Sequence, residues 1–380
     1  MTMPIATSAS HATAALAEAD RLMTVCNSCR YCEGLCAVFP AMELRRSFGD
    51  GDLNYLANLC HACGACYVDC QFSPPHPFDV NVPKSLAIVR ADSYAQYAWP
   101  RALAPLFQRN GVWICLLTAA SVAVFILGFV AWHAPAQVFG VHQGPGAFYR
   151  LMPHNTMVAI FGAAFAYAIL ALAMSLHTFW RASGGPLARE PGVAAWWQAV
   201  RDAGTLRHLD GGGVGCHQGD NVPLDRRRLY HHLTFYGFAL CFASTSFATL
   251  YHYLLGLQAP YPWYDLPVVL GTLGGIGLVV GPMGLWQAKT QRDPALVDAS
   301  RTGMDTAFLA MLWLTGVTGL LLLVLRATPA MGVLLALHLG VVFALFVTLP
   351  YGKFVHGLYR FAALLRAAQE NRAMSKADAT

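Results

Sequence analysis

Cys26-Asn-Ser-Cys29-Arg-Tyr-Cys32-Glu-Gly-Leu-Cys36 and Cys60-His-Ala-Cys63-Gly-Ala-Cys66-Tyr-Val-Asp-Cys70 are two copies of one spacing, C-x2-C-x2-C-x3-C, and hold eight of the eleven cysteines. Three thiolates two residues apart wrap one face of an iron-sulfur cube, and a more distant fourth closes it. In the bacterial two-cluster arrangement each fourth cysteine serves the other cluster. Cys26, Cys29, Cys32 and Cys70 are therefore expected to hold one [4Fe-4S] centre, and Cys36, Cys60, Cys63 and Cys66 the second. Zinc sites usually present separated pairs of ligands, and disulfides are rare where cytosolic reductants act, so both alternatives fit this spacing less well. Ala37 and Gln71 stand where the bacterial run has proline, yet Pro40 and Pro74, a few residues beyond, still encode turns.

Outward from this stretch the composition changes character. The chain of 380 residues is 56% hydrophobic and only 12% charged, with a mean hydropathy of +0.45. The charged share of an ordinary soluble protein is about a quarter, so most of the chain is expected to lie in a lipid bilayer. A formal charge of +5 does not point to nucleic acid, because no basic stripe interleaves with aromatics and the Lys and Arg sit between apolar runs. Met1 to Val25 carries no charge before Glu18 and lacks the basic start and apolar core of a secretory signal, so the first domain is expected to stay in the cytoplasm.

Four parts are expected: a two-cluster domain over 1–83, a basic connector on the membrane surface over 84–110, a transmembrane domain over 111–356 and a cytoplasmic tail over 357–380. A short helix leads into Cys26, Gly49 and Gly51 separate two helical pieces, and Pro74, Pro75, Pro77 and Pro83 close the domain. Apolar runs at about 112–132, 156–179, 233–256, 267–288, 306–325 and 331–352 are each long enough to span the hydrocarbon layer, and none contains Asp, Glu, Lys or Arg. Basic residues crowd the loop 181–229, the loop 289–301 and the tail, whereas the opposite side has only Arg150 and Arg326. By the positive-inside rule this gives six crossings of an inner, cytoplasmic membrane with both termini cytoplasmic. The fold class is an all-α membrane protein, a six-helix bundle with an N-terminal ferredoxin-like helical domain.

Histidines supply the ionisable groups at membrane depth. His177, His231, His232 and His356 lie near inner helix ends, while His252 and His338 lie in outer halves, with His154 at the outer start of the second run. Neutral imidazoles from facing helices are axial ligands for b-type haem, giving an inner set (His177 with His231 or His232, and His356) and an outer one (His252 with His338). His232 and His252 are about 30 Å apart along one helix and cannot share a haem. Any one of these residues also reads as an interfacial hydrogen-bonding group; it is their number beside a cluster module that argues for haem. Lys353, His356 and Tyr359 offer donors to a quinone at an inner helix end, with interfacial anchoring as the competing role. The loop Gly211 to Gly219 lacks the strand and helix of a dinucleotide site, the roles of Cys216 and His217 stay open, and Cys115 and Cys241 read as packing residues.

Three runs carry a specific resemblance: Cys29-Arg-Tyr-Cys-Glu-Gly-Leu-Cys-Ala-Val-Phe-Pro-Ala-Met-Glu43, Arg228-Leu-Tyr-His-His-Leu-Thr-Phe-Tyr-Gly-Phe238 and Leu349-Pro-Tyr-Gly-Lys-Phe-Val-His-Gly357. Together, and in order over nearly the whole chain, they resemble the tricarballylate and citrate utilisation protein B family. That resemblance implies a membrane partner of a separate FAD-dependent tricarballylate dehydrogenase. Such a partner reoxidises the flavin and passes electrons through two [4Fe-4S] centres to the quinone pool. A related fused flavoprotein carries b haem, which extends the implication to haem. FAD then belongs to the cytoplasmic dehydrogenase alone, the substrate is that enzyme's, and this chain is the electron-transfer subunit of an oxidoreductase. Two other readings stand beside it: a subunit of a different flavoprotein dehydrogenase, and a non-enzymatic metal-binding membrane scaffold or redox sensor.

Overall fold

Thr13 accepts a hydrogen bond from the Leu16 amide and so starts the first helix, where a hydroxyl satisfies an otherwise unpaired helix-end donor. The computed structural model describes residues 10–184, 192–209, 226–298 and 301–377, and these contain helices and turns but no strand. The helices are α1 (Ala14–Cys29), α2 (Val38–Glu43), α3 (Asp50–Leu59), α4 (Ala65–Val68), α5 (Val82–Gln96), α6 (Asn110–Trp132) and α7 (Pro135–Val138) in the first part of the chain. They continue as α8 (His154–Ser183), α9 (Val193–Gly204), α10 (Arg226–Leu255), α11 (Leu266–Thr290), α12 (Thr302–Leu325), α13 (Met331–Thr348) and α14 (Val355–Ala377). The loop Gly211 to Gly219, with Cys216 and His217, lies outside the described residues.

Six helices are long and apolar enough to cross a membrane: α6, α8, α10, α11, α12 and the stretch Met331–Tyr351 that begins with α13. The chain is a multi-pass membrane protein. Helices α8 and α10 have 30 residues each, about 45 Å, against a hydrocarbon core of about 30 Å, so both extend beyond it. In lipid, helices associate by close packing of small residues. Gly274, Gly277 and Gly281 of α11 supply that surface against α10: a methyl group at Gly277 would come within 2.7 Å of the Leu233 carbonyl oxygen.

The N-terminal domain sits on the protruding helix ends. Gly51 of α3 is pressed against the last turn of α8, where a Cβ would stand 2.1 Å from the Ala182 carbonyl oxygen, so only glycine permits this approach. Segment 84–110, expected to be a surface connector, begins in α5, whose Val82, Leu86, Val89 and Ser93 are buried as it packs on α1 and α3. Those positions recur every three or four residues, an apolar face beneath the basic residues that dominate the sequence. The tail over 357–380, read as a fraying cytoplasmic amphipathic helix, is mostly α14, whose Ala363, Leu364, Leu365, Ala367 and Ala368 join the core of the N-terminal domain.

Glu370 fixes that junction. Its carboxylate, 5% exposed, accepts from Arg45 at 2.6 Å, Arg366 at 2.9 Å and Tyr55 at 3.0 Å. Removing one partner of a buried ion network strands the others, which costs roughly 3 to 5 kcal/mol. Glu370→Ala is therefore expected to release α14 and lower the thermal midpoint of the N-terminal domain sharply, read by melting and by limited proteolysis between α14 and the bundle. At the other end of the domain His11 bridges Asp50 at 2.6 Å and Asp20 at 3.3 Å. Its hydrogen bond to Asp50 raises its pKa above 6.5, so this link is at full strength below that pH and fades as pH rises through the raised value. Hydrogen exchange at the start of α1 is expected to quicken over that interval, and His11→Ala to abolish the dependence.

Candidate iron-sulfur and histidine sites

The eight clustered thiols divide between two cavities. One is lined by Cys26, Cys29, Cys32 and Cys70 together with Tyr31, Phe39 and Phe72. The other is lined by Cys36, Cys60, Cys63 and Cys66 with His61, Phe39 and His208. Phe39 belongs to both walls and lies between the two sets. Local backbone makes the turns: α1 ends at Cys29 and is followed by Arg30 in the left-handed region (φ 56°), and Ala62, just before Cys63, has φ 49°. Left-handed non-glycine residues are uncommon and cluster at functional sites. Within the second turn the Ala62 amide donates to the Cys60 sulfur at 3.3 Å.

Chemistry in the two cavities favours a metal centre. Burial, reinforced by Cys32, Cys70 and Cys29, pushes the Cys26 thiol up to about 12, and burial with Cys70 beside it pushes Cys32 to about 11. Burial likewise raises Cys36 and Cys66, with Cys60 and Cys36 respectively as the main neighbouring charges. Four thiolates crowded into one apolar cavity repel each other unless a cationic core accompanies them, and such a core deprotonates its ligands outright. Four sulfurs per cavity, twice, fit a [4Fe-4S] centre in each.

The two cavities differ in what surrounds them. The first draws its lining from the N-terminal domain alone, with Cys29 exposed and Tyr31 74% exposed beside it. The loop of the second is gripped by four arginines. Arg360 of α14 donates to the carbonyls of Asn58 at 3.2 Å and Cys60 at 2.6 Å, and Arg90 of α5 also donates to Cys60. Arg227 of α10 donates to His61 and Ala62, both at 3.2 Å, and Arg292, just after α11, donates to Ala62 at 2.5 Å. Burial and the neighbouring Arg90 bring the Arg360 guanidinium down to about 9.

Histidines form two pairs. His231 of α10 and His356 of α14 face each other with ring centroids 6.1 Å apart, close to Arg227 and Arg360. His356 Nδ1 donates to the Lys353 carbonyl at 2.5 Å, which leaves Nε2 as the ring's lone-pair nitrogen. Burial, with Lys353 and Arg360 nearby, holds His356 well below its ordinary pKa, so it is neutral near pH 7 as a ligand requires. At the opposite end His252 stacks on His154 at 3.5 Å and meets Tyr149 at 5.6 Å. His338 instead bonds Thr318 Oγ1 at 2.9 Å, so the structure does not bring His252 and His338 together. His177 is exposed on α8, and His232 lies against Tyr236 at 5.8 Å.

The three residues offered to a quinone are differently placed. Lys353 pairs with Asp305 at 2.9 Å, and Asp305 also holds Lys289 at 3.0 Å. Tyr359 is fully buried, stacked on Phe179 at 4.5 Å, which makes it a packing residue with no open face. Sequence reasoning passed over His154 as the partner of His252, although α8 and α10 run antiparallel with equal length and so set these residues at one level. It also passed over His61, Arg90, Arg292 and Arg360, whose single basic side chains carry no spacing signal.

No solved structure matches the chain. A family model described as Citrate utilization protein B Fer4-like domain matches residues 19–104, the part that holds all eight clustered cysteines, and one described as Citrate utilization protein B matches residues 107–378. The chain is 49% identical over 362 residues to Citrate utilization protein B of Escherichia coli, an alignment that covers 94% of this chain and 93% of that protein. On both grounds the chain belongs to the citrate utilization protein B family, as a membrane protein with a Fer4-like amino-terminal domain.

Proposed function

We propose that the protein is the membrane electron-transfer subunit of an oxidoreductase. It takes electrons from the reduced FAD of a cytoplasmic dehydrogenase acting on tricarballylate or a citrate-like acid, and delivers them to the quinone pool. The observation that carries this reading is the pair of four-cysteine cavities, one with exposed Cys29 and Tyr31 beside it and one gripped by Arg227 of the membrane helix α10 and by Arg360 of α14. Bound there, [4Fe-4S] centres supply single-electron chemistry, which suits a two-electron flavin facing a lipid-soluble acceptor.

The chain's own residues would do the rest. Phe39, shared by the walls of both cavities, separates the two sets of sulfurs. His231 and His356, on separate helices beside the second cavity, are the residues that would hold a b-type haem. His154 and His252 pair at the far end of α8 and α10, but their rings stack at 3.5 Å, which leaves no room for an iron between them. Lys353, anchored by Asp305, is left as the donor nearest His356 for a quinone carbonyl. The basic loops set the cysteine domain and both termini on the cytoplasmic side of a bacterial inner membrane. Purified protein, reduced anaerobically, is expected to be reoxidised on adding a short-chain quinone, with cluster absorbance returning and quinol appearing in step. Reduction that quinone cannot reverse would argue instead for a sensor or scaffold.

A further inference from the structure

Arg45 and Arg366, elsewhere in the N-terminal domain, are balanced by Asp52 and Glu370. Among the described residues Arg90, Arg227 and Arg360 have no such carboxylate; with Arg292 they spend their donors on the carbonyls of residues 58 to 62. Gathering partly buried guanidinium groups around neutral peptide oxygens is unfavourable unless an anion lies close by. The group that would lie there is net negative, since four thiolates outweigh the charge of the cubic core, and its charge grows on reduction. Cations fixed beside such a centre stabilise the reduced form and raise its potential. Each carbonyl so engaged also strengthens its peptide's N–H as a donor, and the Ala62 N–H already points at the Cys60 sulfur. No comparable set surrounds the first cavity, whose described lining is apolar apart from its thiols, Tyr31 and Gln71.

We propose that Arg90, Arg227, Arg292 and Arg360 form a cationic collar that makes the Cys36, Cys60, Cys63, Cys66 centre the higher-potential, membrane-side acceptor. The Cys26, Cys29, Cys32, Cys70 centre is then the donor-side one, facing the reduced flavin. This rests on the two-cluster reading above. The step is one electron leaving the reduced donor-side centre, which is oxidised, for the collared centre, which is reduced, with no proton moved. Arg227 and Arg292 come from α10 and the end of α11, so the same contacts that bias the transfer also dock the accepting centre on the bundle.

The test is a potentiometric titration followed by electron paramagnetic resonance on the full-length chain, prepared anaerobically in detergent. Cys29→Ser identifies the donor-side signal. In the unaltered protein the collared centre is expected to titrate at the higher potential. Arg360→Gln and, from a separate helix, Arg90→Gln are each expected to lower it by about 59 mV, a tenfold change in a one-electron equilibrium, with the donor-side centre unmoved. Arg360→Lys keeps the charge while losing the paired hydrogen bonds and is expected to retain most of the potential. Equal or reversed potentials in the unaltered protein would overturn the proposal, as would Gln variants that shift neither centre, or Lys and Gln variants that shift alike, which a purely mechanical clamp predicts. Absence of any cluster signal would remove the two-cluster reading itself, a failure distinct from a signal that is present and insensitive to arginine.

Discussion

Cys63→Ser is expected to abolish transfer from reduced flavoprotein to quinone while the protein still inserts in the membrane. Cys63 lines the second cavity with Cys36, Cys60 and Cys66, and its neighbour Ala62 is held by Arg227 and Arg292. A serine oxygen is a harder ligand than a thiolate and does not replace it in an iron-sulfur site, so roughly half the iron is expected to be lost. Insertion depends on the six apolar helices, none of which contains residue 63. Cys29→Ser is expected to remove activity through the other centre, whereas Cys115→Ser, on the exposed face of α6, is expected to leave iron and activity in place. Iron analysis and quinone-linked turnover on the same membranes check all three. Normal turnover in Cys63→Ser would count against the cavity as a cluster site.

His356→Ala carries the second large effect: the b-type band of the inner site is expected to vanish while iron-sulfur signals remain. His356 and His231 belong to different helices and face each other at 6.1 Å, and neither α10 nor α14 depends on the imidazole for its packing in the way that α14 depends on Glu370. His231→Ala is expected to reproduce the loss. His177→Ala is expected to spare the band, because its ring is exposed on α8. A reduced-minus-oxidised spectrum of each variant decides between these outcomes. A spectrum of the unaltered protein with no b-type band would remove haem from the mechanism and leave the clusters to face the quinone directly.

Much of this architecture is legible in the sequence because its two strongest signals are chemical and periodic. The repeated cysteine spacing marks the amino-terminal module, and long apolar runs without charge mark the helices, whose ends differ from the structure by only a few residues, except that α10 begins earlier, at Arg226. Lipid imposes that regularity, since an unpaired backbone has no water to turn to. Junctions are less legible. Segment 84–110 presents Lys84 and Arg90 to a reader counting charge, while the buried face of Val82, Leu86 and Val89 acquires meaning only against α1 and α3. α14 reads as a tail because Glu370, Arg366 and Arg360 look solvated, yet each finds a partner some 300 residues away, Arg45, Asp52 and Cys60 respectively. Pairing of histidines is a further case: depth alone allows His252 to meet either His154 or His338, and rotation of the helices about their axes decides between them.

All of these expectations depend on the thiols of Cys26 to Cys70 being ligands rather than free sulfhydryls, and one measurement addresses that most directly. The full-length protein, purified under strict exclusion of oxygen, should be assayed for iron, acid-labile sulfide and zinc per chain. Two [4Fe-4S] centres predict about eight iron and about eight sulfide, in a brown protein whose colour bleaches on reduction. A colourless preparation with zinc in the cysteine domain, or with neither metal, would contradict the account.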